Sequence, residues 1–406
     1  MDFVYPPQAD TYRTKVRAFL DANLPKDWKG IGALNHKDAA AWTEDWREKL
    51  AKNDFLATTW PKEYGGAGLT AIESLVIAEE FALSGVPGGG PNDGFGIGML
   101  GNTILAVGTE EQKKHFLPRV LSGEDRWCQG YSEPSAGSDL GNLGCRAVLD
   151  GDEWVINGQK IWTSAGHLAN HIFVLARTSP DDVKHRGITF LLVDMRQKGV
   201  EVRPIKMMSG DSEFNEVFFT DARCPKENVV GEINGGWMVA MTLLGNERGA
   251  GAVVSGISFR GELDKLNNLA REKGVTTNPH IRQRLALAHI KVEIMRFLGY
   301  RTLTAFMNGG QPGPEASIGK LWWSEYHKEV TELAIDILGA DALVPFGQTP
   351  HTAFTTDAPG SPNDSANWAG VFMNARAGTI YAGSSQVQRN IVGEMVLGLP
   401  KEPRPS

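Results

Sequence analysis

Over roughly the first 124 residues, apolar positions repeat with a helical period. Trp42, Trp46 and Leu50 stand four apart and line one face of a helix whose other positions are charged. Thr109-Glu110-Glu111-Gln112 has the spacing of a capping box and Gly123 supplies a helix end, which predicts a helix at about 110 to 121. From Arg126 to about Asn234 the period shortens to that of strands. In CRAVLDGDEWVINGQKIW, Asp150-Gly151 and Asn157-Gly158 fall between short apolar runs, and both dipeptides suit two-residue hairpin turns. HIFVLART, GITFLLVDM, GVEVRPI and NEVFFTDA read as further strands, predicting an antiparallel all-β region of about seven strands, a barrel or sandwich. After Gly235-Gly236 the helical period returns in four long stretches, Trp237 to Lys273, His280 to Asn308, Glu315 to Leu338 and Ala369 to Leu397, as expected of an antiparallel bundle. Between the last two, FGQTPHTAFTTDAPGSPNDSANW reads as a surface loop. The expected fold is therefore α+β: an N-terminal helical domain over 1–124, a central antiparallel β-barrel over 125–234 and a C-terminal four-helix bundle over 235–406.

Composition narrows the function classes. The 41 Lys+Arg against 48 Asp+Glu give a formal charge of -7, with neither sign gathered into a block that would grip nucleic acid. The opening MDFVYPPQADTYRTKVRAFLDANLP lacks the features of a signal peptide, and no segment approaches the roughly 20 apolar residues of a membrane span. A cytoplasmic protein is expected. Cys128, Cys145 and Cys224 are odd in number and form no C-x-x-C pair, so they read as buried reduced thiols and not as a disulfide framework or zinc site. Gly96-Ile97-Gly98-Met99-Leu100-Gly101 matches a dinucleotide fingerprint, but it follows PGGGPND and not a buried strand, so a Gly-rich helix start is expected there. His167 and His171 lack the glutamate of a helical metal motif, and no metal site is expected.

The stretch Gly130-Tyr131-Ser132-Glu133-Pro134-Ser135-Ala136-Gly137-Ser138-Asp139 packs hydroxyls, small residues and a backbone-exposing Gly into one loop, able to present N–H and O–H groups to a polar ring edge or to phosphate. The capped surface loop is the competing reading of the same residues. This stretch closely resembles the first signature of the acyl-CoA dehydrogenase family; KIWTSAG and Trp60-Pro61-Lys62-Glu63-Tyr64-Gly65-Gly66 are similar to further family segments, and the resemblance runs from about Leu56 to Pro400. It implies FAD as cofactor, held by Gln129, Tyr131, Ser132, Gly137 and Ser138 and by Trp162 and Ser164, and dehydrogenation of an acyl-CoA thioester to the trans-2-enoyl-CoA. It also implies an electron-transfer flavoprotein as acceptor. Arg271, Ser384 and Gln386 match family contacts to FAD near a subunit interface, and Ser138, Arg248, Tyr381 and Ala382 match the substrate-binding positions.

Such a reaction needs a carboxylate to take the α-proton while the β-hydrogen leaves as hydride on the opposite side of the Cα–Cβ bond. The family usually offers it from a Tyr-Glu-Gly-Thr segment, but this chain reads Tyr381-Ala382-Gly383-Ser384. A minority of the family, of isovaleryl and long-chain type, places the base earlier, where this chain has Asn246-Glu247-Arg248-Gly249. Glu247 is thus the expected base. Its apolar and small sequence neighbours would raise its pKa toward the working range. The oxyanion contact, implied from a backbone N–H at Ala382, survives the loss of the side chain. The Gln and Gly-Gly-x-Gly turn of the family's second signature is replaced by Asp336-Ile337-Leu338-Gly339-Ala340-Asp341. With the long loop after it, this resembles bacterial members that oxidise bulky acyl groups such as steroid side chains, some as heterotetramers with an unlike chain, others being homodimers or homotetramers. Two alternatives stay open on the same residues: a non-catalytic subunit that completes a partner's FAD pocket, and a flavin oxidase or monooxygenase on the same fold.

Overall fold

The computed structural model describes residues 5–180, 184–246, 251–308, 313–351 and 359–401. Five helices come first: α1 (Pro7–Asn23), α2 (His36–Lys52), α3 (Ala71–Ser84), α4 (Asn102–Val107) and α5 (Glu110–Ser122). Eight strands follow, β1 (Trp127–Gly130), β2 (Arg146–Asp150), β3 (Glu153–Ser164), β4 (His171–Arg177), β5 (Ile188–Asp194), β6 (Val200–Pro204), β7 (Phe214–Pro225) and β8 (Val229–Val230). The last helices are α6 (Gly236–Asn246), α7 (Gly251–Glu272), α8 (Pro279–Met307), α9 (Ala316–Leu338), α10 (Ser365–Ala375) and α11 (Ser385–Ile391). The chain forms two compact units, one of residues 1–44, 70–88 and 248–406, the other of 45–69 and 89–247. Among the described residues no helix is long and apolar enough to cross a membrane.

In the sheet-containing unit the strands run β6-β7-β3-β2-β4-β5-β8, with β1 added on β4. The expected barrel does not close. Its β6 edge carries Glu201, Arg203 and Pro204, and charges and proline on an edge strand discourage further pairing. Nor is every pair antiparallel, since β1 runs parallel to β4. The β2–β3 hairpin turns where Asp150 faces Glu153, as its Gly suggests. Asn157-Gly158, by contrast, is no turn. It lies inside β3 at a shift of register, where Asn157 exchanges side-chain bonds with Asp221 and a Cβ on Gly158 would stand 2.7 Å from Cys145 Cα. Such a close approach of two backbones requires Gly as much as a tight turn does, which is why the sequence pattern misleads.

One core of this unit joins Trp60, Leu100, Ile104, Leu117 and Trp127 to Phe173, Phe190 and the α6 residues Val239 and Leu243. The capping box at Thr109 and Gln112 is complete, and Gly123 ends α5 at φ 79°. Arg47 then donates to Asp93 through Nε and Nη2, and also through Nη1 and Nη2 to the carbonyls of Leu121 and Val120, satisfying the open end of α5. Trp46 and Leu50 are buried as their spacing predicts. The G-x-G-x-x-G stretch is a π-helical segment, with wider turns than an α-helix, leading into α4, not a phosphate loop. The three cysteines are free and buried.

In the other unit α7, α8 and α9 pack on one another and α10 packs on α9, around Leu263, Leu266, Val292, Val330, Leu333 and Trp368. Arg13 and Arg17 of α1 grip Glu80 of α3, and burial would push that carboxyl up, but the two guanidiniums outweigh it and hold it below the ordinary carboxylate range. The loop expected over 346–368 is pinned at its described ends. Gln348 and His351 bond the carbonyl of Leu34, and Lys265 bonds Ser361. Trp237 to Lys273 is helical on both sides, as α6 and α7, of residues 247–250, which lie outside the described residues. One predicted long helix is interrupted. Ala369 to Leu397 breaks between α10 and α11, because Ala382 and Gly383 take left-handed φ values of 51° and 82° that no helix accommodates.

Two glycines of the π-helical segment give opposite expectations. A Cβ on Gly101 would run into the Trp60 ring, whereas nothing lies within 4 Å of one on Gly98. Gly101→Ala is expected to lower stability by about 2 kcal/mol, and Gly98→Ala to raise it by about 0.5 kcal/mol. Paired thermal melts of the two variants check this.

Candidate active site

The sheet-containing unit brings one set of the sequence-predicted residues together. Gln129 lies in β1 opposite Phe173, and the Tyr131 ring stands T-shaped to those of Phe173 and Phe190. Beyond it the loop closes on itself through reciprocal backbone bonds between Glu133 and Ala136. Ser132 accepts from the Ile161 amide at 2.9 Å, which fixes the loop beside the strand that carries Trp162 and Ser164. Between Lys160 and Thr163 that strand bulges against β7. An extra residue in a strand re-aims the side chains after it. Trp162 accordingly sits at φ 61°, with its ring edge-on to Phe214 at 6.1 Å and 56% of its surface exposed. Asn215 donates to Thr163 O, and Asn92 donates to Ala165 O, holding the turn after Ser164. Gly137 and Ser138 stand exposed, and nothing lies within 4 Å of a Cβ placed on Gly137.

Beneath this set lies a pair the sequence reading did not assign. Lys160 Nζ meets Glu133 Oε1 at 2.6 Å, with side-chain exposures of 0% and 6%. A buried carboxylate is tolerable only when its lone pairs are filled. Here Glu133 also accepts from the amides of Gly144 and Cys145, and the ammonium donates to Tyr131 O. The pair thereby joins the loop, β2 and β3 at one point. A signal was available in the sequence: Lys160 shares the even positions of Trp154 and Ile156, the inward face of β3, and an inward lysine demands a carboxylate.

The helical unit holds the second set. Tyr381, Ala382 and Ser384 occupy the turn between α10 and α11, where Ser384 caps Val387, and Gln386 lies in the first turn of α11. Ala382 is exposed, and Gln388 Nε2 bonds the carbonyls of Ala382 and Gly383. Arg271 stands in the last turn of α7 and bonds Asn268 of its own helix. Glu247 and Arg248 lie outside the described residues.

Titrating groups near the first set divide by environment. Burial, with Asp211 adding to it, pushes the Glu213 carboxyl up to about 7. Burial also raises the thiols of Cys145 and Cys224, to about 11 and about 12, which keeps them protonated and unreactive. His171 is lowered by burial, which outweighs the nearby Asp125.

Family models for the N-terminal, middle and C-terminal domains of acyl-CoA dehydrogenase match residues 6–124, 128–222 and 234–397. Acyl-CoA dehydrogenase IpdE1 of Mycobacterium tuberculosis is 39% identical over 401 residues, covering 97% of this chain and 98% of its own. Among solved structures, the Tcur3481-Tcur3483 steroid ACAD matches with a TM-score of 0.80 at 32% identity, covering 99% of this chain and 100% of that one. The ChsE4-ChsE5 complex from Mycobacterium tuberculosis matches with a TM-score of 0.77, also at 32% identity, over 99% of this chain and 100% of its own. The chain belongs to the acyl-CoA dehydrogenase family, flavoprotein oxidoreductases that use FAD and act on CH–CH groups. Its exposed Trp162 indole, the exposed Ser138, the half-buried Ser132 and Ser164 and the open space at Gly137 fit a flat heteroaromatic group with polar edges.

Lys160→Met would strand a buried carboxylate, and is expected to cost about 3–5 kcal/mol and to weaken FAD retention. Melting temperature and the flavin absorbance of the purified variant report both effects. Glu213 has a folded pKa raised above its unfolded value, so the native state holds the proton more tightly and stability falls as pH rises from about 4.5 to about 7. Glu213→Gln should flatten that dependence and melt about 2–4 °C above the parent at pH 8, for a screened contribution of about 1 kcal/mol.

Proposed function

We propose that this chain catalyses α,β-dehydrogenation of an acyl-CoA thioester to the trans-2-enoyl-CoA, on a bulky, branched or steroid side-chain substrate, with Glu247 as the base. The observation that carries the reading is the Trp162 indole, exposed at a strand bulge and fixed beside the GYSEPSAGSD loop. The name of the steroid ACAD neighbour supports a bulky substrate.

When bound, FAD supplies the hydride acceptor. Gln129, Tyr131, Ser132, Gly137, Ser138, Trp162 and Ser164 would hold it, and Arg271 would reach the FAD of a neighbouring subunit, with Ser384 and Gln386 near the same interface. Glu247 removes the α-proton. Arg248, Tyr381 and Ser138 bind the thioester, and the Ala382 amide receives its oxygen as negative charge develops there. Electrons pass on to an electron-transfer flavoprotein, and the protein works in the cytoplasm.

Assembly follows the same line. Leu343, Val344 and Phe346 are 83%, 75% and 81% exposed, a density of large apolar side chains that marks a contact surface. An oligomer covers them, either a homomer or a heterotetramer with a second acyl-CoA dehydrogenase-like chain; the two-chain neighbours favour the heterotetramer. A second reading rests on Ala382: with no carboxylate there, the chain serves as a partner-completing subunit.

Two measurements decide. Glu247→Gln should keep FAD and lose roughly a thousandfold in the rate at which an acyl-CoA panel of short, branched and steroidal thioesters bleaches the flavin; bleaching at the parent rate removes Glu247 from the role. Purified without a partner, the parent chain should be yellow and active if it is a self-sufficient homomer. Colour and activity that return only with a second chain assign it to a heteromer.

A further inference from the structure

Residue 382 has lost the carboxylate side chain usual in its family, yet its backbone is held in a conformation that alanine adopts reluctantly. Ala382 lies at φ 51° and Gly383 at φ 82°. A left-handed non-Gly residue persists only where its surroundings over-determine it. The over-determining groups are visible. Lys320, on α9, sends its ammonium to the carbonyls of Gly378 and Gly383, each at 2.8 Å, spanning the turn from before Tyr381 to after Ala382. The same ammonium stands 5.9 Å from the centre of the Tyr381 ring. Gln388 closes the turn from the other end, bonding Ala382 O at 3.1 Å and Gly383 O at 3.3 Å.

The carbonyls of Gly378, Ala382 and Gly383 are thus all engaged by Lys320 or Gln388. The amides of Ala382 and Gly383 donate to no acceptor among the described residues. A turn whose carbonyls are tied back while successive N–H groups stay free is a concavity for negative charge.

We propose that Lys320 is a positioning residue for the thioester oxygen: by tying back the carbonyls of the Gly378–Gly383 turn, with Gln388 behind it, it holds the Ala382 amide ready for the charge that develops on that oxygen. The role rests on the dehydrogenase reading above. Lys320 does not touch the substrate. It acts through the backbone, and an ammonium is suited to this because it donates several charge-assisted bonds to carbonyls at once. The arrangement also accounts for the tolerance of alanine at position 382, since the side chain takes no part in it.

The test uses the FAD-loaded full chain and a 3-thia-acyl-CoA, in which sulfur replaces the β-carbon, carrying the acyl group that bleaches the parent flavin fastest. This analogue can ionise at its α-carbon but has no β-hydrogen to give. Its apparent pKa, read from the long-wavelength band of its anion against oxidised flavin, reports oxyanion stabilisation directly. Lys320→Met is expected to raise that pKa by about one unit, equivalent to about tenfold in anion stability, and to lower kcat by roughly tenfold or more with KM little changed. Lys320→Arg should recover most of both. FAD content and melting temperature serve as controls, and if the Met variant does not hold FAD, Lys320→Gln, which keeps a shorter donor, replaces it. A substituted enzyme that retains FAD and ionises the analogue at the parent pKa overturns the role of Lys320. A parent enzyme whose flavin no acyl-CoA in the panel bleaches overturns the dehydrogenase reading instead.

Discussion

The buried ion pair between Lys160 and Glu133 is the constraint on which the sheet-borne set of candidate residues depends. Two charges withdrawn from water cost more than their attraction returns unless the remaining hydrogen-bonding capacity is filled. Glu133 achieves this by accepting two backbone amides as well as the ammonium, and Lys160 by donating to Tyr131 O. The result is a junction of three chain segments with little freedom to slide. Loop, strand bulge and exposed indole are all placed relative to that one point.

Left-handed backbone supplies the second level of control. Trp162, Ala165 and Ala382 are non-glycine residues at positive φ, and all stand in segments assigned to the site. In each case the conformation is enforced by polar groups from elsewhere in the same unit. Asn215 and Asn92 bond the carbonyls around Ser164, while Lys320 and Gln388 bond those around Ala382. Strain held in this way sets the direction of backbone groups without relying on particular side chains. That explains how a turn can keep its shape while one of its side chains changes from carboxylate to methyl.

A base on another helix, as proposed for Glu247, becomes physically reasonable in this light. Proton removal and oxyanion stabilisation ask for different things, a carboxylate of suitable pKa in one case and a fixed dipole in the other. The first can move to another helix provided that its reach is right. The second depends on a turn that is costly to build and is built here by several partners.

Much of this was legible from the amino-acid sequence, and the reason is local. The capping box at Thr109, the helix end at Gly123, the buried Trp46 and Leu50 and the succession of short strands follow from spacing and short-range geometry, while the loop motif identifies the family by resemblance. What failed was decided by distant partners. Asn157-Gly158 looks like a turn, but Cys145 requires its glycine within a strand; Ala369 to Leu397 looks like one helix, but tethers from α9 and α11 hold it broken at Ala382. The barrel stays open because its edges are charged or short, and Lys160 is silent as a sequence letter until β3 turns it inward against Glu133. Periodicity determined which elements form, whereas only the tertiary structure could decide which buried charges meet and which backbone turns they hold.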